Sequence, residues 1–180
     1  MLSVRHLTKW FGSKRVLDDL SLTVARGERV VLLGENGSGK STFLRIVAGI
    51  VEAYEGEIAV PRVLGYAPEK PDLPDHLLAG EWLDLVASLK RARWPELLGV
   101  TALLGRKIGA LSLGQRQRVS LVAAFTGEPP LVVLDEPTNA LDADAREELT
   151  ARVLESTALV ATHDRDFAER VATRIVTMGA

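Results

Sequence analysis

The sequence contains no cysteine, which excludes disulfide bonds, thiolate metal sites and a cysteine nucleophile. It also lacks any apolar run near the roughly 18 residues that a membrane-spanning helix needs. The stretch from Met1 to Trp10 mixes basic and apolar side chains, unlike a signal peptide. From these absences we expect a soluble, cytoplasmic protein without a membrane span.

An excess of either charge is missing as well. The 22 Lys and Arg residues nearly balance the 24 Asp and Glu residues, so the net charge is −2 and the pI is near 6.0. Such a chain has no overall attraction to nucleic acid or anionic lipid, and we expect no nucleic-acid partner. With 180 residues, 47% of them hydrophobic, the chain can bury a core in one domain over residues 1–180.

A glycine-rich stretch follows the apolar run 30–33 and precedes a helical pattern. It matches G-x-x-x-x-G-K-[S/T] and reads Gly34, Glu35, Asn36, Gly37, Ser38, Gly39, Lys40, Ser41, Thr42. Glycines let successive backbone N–H groups turn around phosphate oxygens, while Lys40 and Ser41 can reach the terminal phosphates and Mg²⁺. A plain glycine-rich turn is the alternative, but a lysine at a helix N-terminus opposes the helix dipole unless an anion binds there.

Ionisable side chains also follow two other apolar runs that predict buried strands. The run 131–134 is followed by Asp135 and Glu136, and the run 158–161 is followed two residues later by His163. In an open parallel sheet, the carboxyl ends of the strands form the ligand edge, which they would share with the glycine-rich loop. An aspartate there can merely cap a turn, and a lone histidine is more often packed or capping. Two adjacent carboxylates, however, carry a desolvation cost that a metal ion or an attacking water would justify.

The N-terminal segment predicts a small antiparallel unit. Residues 2–8 and 20–24 have the patterns of strands, and an aromatic turn, Trp10-Phe11-Gly12, lies between them. Phe11 there is either a core plug or a platform for a base to stack on.

Residues 69–111 predict a helical insert without strands. A proline-rich loop leads to a helix with an apolar stripe from Leu78 to Leu89, capped by Asp75, and a second helix over 95–104. The basic residues 90, 91 and 93 favour a solvated helix end over a nucleic-acid site. Another helix opens at residues 111–115, where Ser112 and Gly114 lie beside free N–H groups and form a second potential anion site.

In this order, the motifs resemble the ATP-binding cassette (ABC) family of ATPases, specifically the nucleotide-binding subunit of a transporter. Residues 34–42 are similar to its Walker A motif, 131–136 to its Walker B motif, 111–115 to its signature motif, 138–142 to its D-loop and 65–69 to its Q-loop region. Phe11 is similar to its adenine-stacking aromatic residue. The resemblance implies an α/β fold with a P-loop NTPase core (1–68 and 112–180), a mainly parallel sheet, a small N-terminal antiparallel β subdomain and a short inserted helical subdomain (69–111).

The resemblance also implies ATP and Mg²⁺ as ligands and a role for each site residue. Ser41 and Asp135 would place Mg²⁺, with Glu69 as a further oxygen ligand. Glu136 would polarise the attacking water, and His163, similar to the switch histidine, would contact the γ-phosphate.

A second subunit follows from the same resemblance. Ser112, Gly114 and Gln115 would complete the nucleotide site of another copy, which implies an ATP-dependent head-to-tail homodimer or pairing with a related cassette. The dimer would bind an integral membrane transporter subunit at the cytoplasmic face of the membrane. Leu113 replaces the usual first glycine of the signature and Glu69 the usual glutamine, and both variants resemble small exporter cassettes of the multidrug, sodium or haem-maturation type.

Two other functions compete with transport. A soluble ABC ATPase of translation or DNA repair usually has tandem cassettes or long coiled coils, which this sequence lacks. A P-loop kinase or GTPase needs no signature helix, and the base-reading motif Asn-Lys-x-Asp of GTPases does not occur.

Overall fold

Two sheets organise the fold in the computed structural model, which describes residues 1–179. The smaller sheet is antiparallel, with spatial order β2-β1-β4, and consists of β1 (Leu2–Phe11), β2 (Lys14–Val24) and β4 (Glu55–Ala59). The larger sheet is parallel, with order β5-β6-β7-β3-β8. It consists of β3 (Arg29–Leu33), β5 (Gly65–Ala67), β6 (Val132–Asp135), β7 (Ala158–Thr162) and β8 (Arg174–Thr177).

Residues 1–179 form five α-helices, which are α1 (Lys40–Val47), α2 (Ala79–Lys90), α3 (Leu113–Phe125), α4 (Ala143–Leu154) and α5 (Arg165–Val171). Helices α1, α3 and α5 contact the parallel sheet, whereas α2 packs on α3 and α4 packs on α5. Because successive strand residues point to opposite faces, β3 contributes to two cores. Val31 packs in the core that holds α3, α4, α5 and the insert, whereas Val30 and Leu32 pack in the core that holds α1 and the antiparallel sheet. The predicted α/β class, parallel core and antiparallel N-terminal unit are confirmed.

The helical insert contains less regular helix than the sequence predicts. The second helix predicted over 95–104 is wrong, since only a 3₁₀ turn forms at Val100–Leu103. Leu98 and Gly99 have φ values of 59° and 60°, and two successive left-handed residues cannot continue a right-handed helix. The insert nevertheless shares a buried core with the parallel sheet, so it is not a separate unit.

The prediction that Asp75 caps the insert helix is also wrong. Helix α2 begins after Leu78, whose backbone N–H donates to the Glu81 carboxylate three residues later at 2.8 Å. Asp75 instead accepts a hydrogen bond from the Arg116 guanidinium on α3. The acceptor for the start of the helix is therefore a glutamate of its first turn and not an aspartate that precedes it.

The basic end of α2 is only partly the solvated helix end that the sequence favours. Lys90 is half-buried, and its Nζ donates to the carbonyl oxygens of Ala123 and Thr126, both at 3.1 Å. These carbonyls lie at the end of α3, where helix carbonyls lack partners within the helix. Lys90 therefore joins the insert to α3.

Gly65 provides a test of this packing. A Cβ at position 65 would overlap the Ala124 carbonyl oxygen of α3 and lie 2.8 Å from its carbonyl carbon. Since both neighbours are backbone, Gly65→Ala should lower the free energy of unfolding by about 3 kcal/mol, measured by urea denaturation. Gly105→Ala is the matched control, because nothing lies within 4 Å of that position. Equal stability of the two variants would contradict the packing of β5 on α3.

Candidate active site

The glycine-rich loop between β3 and α1 lines a cleft of about 390 Å³. Gly37 and Gly39 have φ values of 90° and 91°, which side chains other than hydrogen rarely allow. A Cβ on Gly39 would also lie 2.8 Å from the Val16 carbonyl oxygen of β2. Loop residues 36, 37 and 39–42 line the cleft together with Lys14, Val16, Glu69 and Glu136.

Lys40 lies at the start of α1 and is 5% exposed. Its Nζ donates to the carbonyl oxygens of Gly34 at 2.6 Å and Glu35 at 3.0 Å. No acidic side chain lies in the first turn of α1, so its backbone N–H groups are available to an anion. Positive charge, free N–H groups and a glycine-lined cleft together fit the phosphates of a nucleotide.

Asp135 ends β6 beside the loop and is 1% exposed. Its Oδ1 accepts a hydrogen bond from Ser41 Oγ at 3.1 Å. Burial, together with the nearby charges of Glu69 and Glu136, raises the pKa of Asp135 to about 6, against the lowering effects of the Ser41 hydrogen bond and Arg45. A divalent cation would offset this repulsion.

The oxygen donors here fit Mg²⁺. No cluster of three or more His, Cys, Asp or Glu suited to a metal occurs within residues 1–179. Magnesium commonly takes one or two carboxylates and fills its other positions with water and substrate phosphates, so a site built on Asp135 and Ser41 is sufficient.

Glu136 follows Asp135 in a left-handed conformation with φ 47°. Its Oε2 accepts hydrogen bonds from Thr162 Oγ1 at 3.0 Å, from the His163 backbone N–H at 3.3 Å and from His163 Nδ1 at 2.9 Å. Because a carboxylate oxygen only accepts, we assign the imidazole proton to Nδ1. The Glu136 side chain is 7% exposed, and it borders the phosphate cleft.

Several predicted site residues lie outside the lining of the cleft. Phe11 is 51% exposed, which excludes a core plug, and Lys9 Nζ lies 4.9 Å from its ring centroid. Glu35 contributes its carbonyl oxygen to Lys40. Ser38 Oγ is buried without a hydrogen-bond partner in residues 1–179 and borders a different cavity, between β2 and β8.

The start of α3 lies apart from the phosphate cleft of the same chain. Ser112 Oγ accepts from the Gln115 backbone N–H at 3.3 Å, and Gln115 Oε1 accepts from the Ser112 backbone N–H at 3.1 Å. This reciprocal pair caps the helix. Gly114 has a further role, since a Cβ there would overlap the Ala140 carbonyl oxygen.

Sequence reasoning did not assign three residues that the structure brings to the site. Lys14 and Val16 border the cleft from β2, and Thr162 contacts Glu136. No motif marks the two β2 positions, because their proximity depends on how the antiparallel sheet packs. Thr162 could have been found from its place at the end of a buried strand, directly before His163.

Other parts of the described chain bear on function. A cavity of about 620 Å³ lies at the opposite edge of the parallel sheet, beside Val132 and Thr157, and none of the predicted site residues borders it. Within residues 1–179, no helix combines the length and apolar character needed to cross a membrane.

Comparison with known proteins places these features in a family. Residues 17–139 match the family described as ABC transporter. MJ1023 of Methanocaldococcus jannaschii, named an uncharacterized ABC transporter ATP-binding protein, is 34% identical over 97% of this chain and 72% of its own length. The sulfate/thiosulfate import ATP-binding protein CysA of Photorhabdus laumondii is 34% identical over 98% of this chain, which spans 58% of CysA.

The fold also has close counterparts among solved structures. MJ0796, described as a dimeric bacterial ABC transporter cassette, superposes with a TM-score of 0.87 at 25% identity, covering 99% of this chain and 94% of that chain. A second structure of MJ0796, dimeric, in a post-hydrolysis state and bound to ADP and Pi, has a TM-score of 0.86 at 26% identity, again over 99% and 94%.

The raised pKa of Asp135 yields a prediction for the nucleotide-free protein. A carboxyl group with a raised folded-state pKa stabilises the fold most at low pH, and this contribution is lost as the pH rises through about 6. Asp135→Asn should therefore raise the free energy of unfolding by about 1–2 kcal/mol at pH 7.5, after allowance for solvent screening, and by little at pH 4. Asp166→Asn, at an exposed aspartate of α5, should give no such gain. Denaturation at both pH values measures the difference, and a gain of equal size at pH 4 would contradict it.

Proposed function

The chain belongs to the ABC transporter family of ATP-binding cassette ATPases, and from this premise we propose that its ATP-driven dimerisation powers export through separate membrane subunits. The observation that carries the proposal is the position of Glu136, a buried carboxylate that borders the phosphate cleft next to Asp135 and Ser41. A carboxylate so placed can polarise a water molecule toward the terminal phosphate.

The roles of the other residues follow from their positions. Lys40 would exchange its contacts with the loop carbonyls for the β- and γ-phosphates, because a phosphate is a stronger partner for an ammonium group. Ser41 and Asp135 would hold Mg²⁺, with Glu69 at the rim of the same cleft. When bound, Mg²⁺ supplies positive charge that stabilises the phosphate oxygens. His163, whose side chain is exposed, would turn toward the γ-phosphate and contact it.

A head-to-tail dimer is supported by what lies outside the cleft. The start of α3, with Ser112, Gly114 and Gln115, does not line the phosphate cleft of its own chain. The neighbouring Leu113 is 58% exposed. A solvent-facing helix start can receive the phosphates of a second copy. MJ0796 is dimeric, which supports a dimer of this chain.

A groove of about 500 Å³ between the parallel sheet and the insert supports a membrane-subunit partner. It is bordered by Ile50, which is 59% exposed, and by Pro71 and Leu73. Trp82 Nε1, from one of its lining residues, is buried and has no hydrogen-bond partner within residues 1–179. Charged side chains, Arg45, Lys70 and Asp72, line the groove together with the apolar ones, and this mixed lining suits a short amphipathic segment of a partner protein, which would bring the chain to the cytoplasmic face of the membrane.

Export as the direction rests on Leu113 and Glu69, the two departures from the commonest motifs. The name of CysA, in contrast, describes a protein of sulfate/thiosulfate import. Transport assays with the membrane subunit in inverted vesicles, whose outer face is the cytoplasmic one, separate the two directions. ATP-dependent accumulation of cargo in the lumen is expected for export, and ATP-dependent release of cargo from the lumen would overturn it. Co-purification with ribosomes or DNA instead of a polytopic membrane protein would favour the translation or repair alternative.

Glu136→Gln tests the chemistry and the dimer together. Glutamine keeps an oxygen for Thr162 but cannot take a proton, so steady-state ATP hydrolysis should fall by about 100-fold or more. With saturating ATP and Mg²⁺ the variant should accumulate as a dimer, measured by light scattering after size exclusion. Glu169→Gln, at an exposed glutamate of α5, should hydrolyse ATP like the unmodified chain. A Glu136→Gln chain that stays monomeric would count against ATP-driven dimerisation.

Ile50→Glu tests the groove. A carboxylate in place of this exposed apolar side chain should weaken co-purification with the membrane subunit by about 10-fold, because the apolar contact is lost and desolvating a charge is costly. ATP binding by the isolated chain should not change. Leu154→Glu is the control, since Leu154 is 44% exposed on α4 and does not border the groove. Equal losses of co-purification for both variants would place the partner elsewhere.

A further inference from the structure

The carboxylate of Glu136 is held through one of its two oxygens. Within residues 1–179, the hydrogen-bond donors of this side chain all converge on Oε2: Thr162 Oγ1, the His163 backbone N–H and His163 Nδ1. The backbone N–H of Glu136 is also fixed, because it donates to the Ala161 carbonyl oxygen on β7 at 2.8 Å. With Oε2 occupied, Oε1 is the oxygen left for a substrate water.

The Thr162 hydroxyl can donate in only one useful direction. Its Oγ1 accepts a hydrogen bond from the Asp164 backbone N–H at 3.1 Å, and the hydroxyl has a single hydrogen to give. Glu136 Oε2, at 3.0 Å, is the acceptor for that hydrogen. Thr162 is 0% exposed, so water does not compete for the bond.

The strand makes the hydroxyl position rigid. Thr162 is the last residue of β7, a central strand of the parallel sheet, and it pairs with Leu33 at the end of β3. A β-branched side chain in a strand has few accessible χ1 rotamers. By contrast, His163 has a side chain that is 62% exposed, so its contact with Glu136 is open to solvent and to ligand.

We propose that Thr162 is a positioning residue for hydrolysis, which fixes Glu136 Oε2 so that Oε1 is presented to the attacking water. This inference rests on the proposed function, because it assumes that Glu136 polarises that water. Thr162 is fully buried and does not line the phosphate cleft, so it would act through Glu136. Its hydroxyl keeps the carboxylate in place when His163 turns toward the γ-phosphate.

Three variants separate positioning from stability. Thr162→Val keeps the side-chain shape but removes the donor, and Thr162→Ser keeps the donor. Thr126→Val is the matched control, because Thr126 is also 0% exposed and its Oγ1 donates to a backbone carbonyl, that of Val122, at 2.9 Å. Folding of all three is verified from their thermal unfolding midpoints.

Phosphate release with saturating Mg²⁺ then gives kcat and KM for ATP. We expect Thr162→Val to lower kcat by about 10- to 100-fold and to leave KM within about twofold, since the phosphate-binding groups are intact. Thr162→Ser should retain kcat within about threefold, and Thr126→Val should match the unmodified chain. A loss for Thr162→Val that Thr162→Ser does not rescue would overturn the inference, as would an unchanged kcat.

Failure of this inference and failure of the proposed function give different results. If the unmodified chain releases no phosphate, or if Glu136→Gln releases it at the normal rate, the proposed function fails and the role of Thr162 fails with it. If Glu136→Gln is inactive but Thr162→Val is fully active, only the role of Thr162 is overturned. Should Thr162→Val unfold, a crystal structure of Thr162→Ser still decides, because its hydroxyl must bond Glu136 Oε2.

Discussion

The register of three parallel strands is the constraint on which the site depends. Leu33 of β3 pairs with Thr162 of β7, and Ala161 of β7 pairs with Asp135 of β6. These strands therefore end at one level, and the loops that leave them meet at one edge. A shift of one residue would turn Asp135 from the edge into a core and reverse the faces of every apolar neighbour. The buried valines and leucines of both cores thus fix the geometry of the charged edge.

The charged groups at this edge of the sheet destabilise the nucleotide-free protein. The pKa of Asp135 is raised by burial and by the charges of Glu69 and Glu136, and Glu136 has a left-handed backbone that is unusual for glutamate. Features of this kind cluster at functional sites because the surrounding structure holds them in place. In the function that we propose, the ligand would supply what the free chain lacks: Mg²⁺ would offset the charge of the carboxylates, and the phosphates would replace the carbonyl partners of Lys40.

Local signals in the sequence were sufficient to bring the candidate site residues to one edge of the sheet and insufficient for the structure of the insert. Gly34–Thr42, Asp135 and Glu136 could be predicted because each belongs to a short stretch whose strand or loop context is visible in its neighbours. The prediction of a helix over 95–104 was wrong because Leu98, like Gly99, has a left-handed backbone. A leucine gives no sign of this conformation in the sequence. Lys90, Lys14 and Thr162 depend on contacts between segments that are distant in the chain, which periodicity does not report.

Gly114 allows the start of α3 to pack against the backbone of another segment. With no side chain at this position, the helix start lies directly against Ala140, four residues after Glu136, and a Cβ would not fit between them. Because backbone atoms packed this closely leave little room for independent movement, we expect the start of α3 and the segment around Ala140 to move together. In the proposed dimer, a second copy that presses on the start of α3 would therefore also shift the segment that follows Glu136, and this contact would couple the two proposed nucleotide sites.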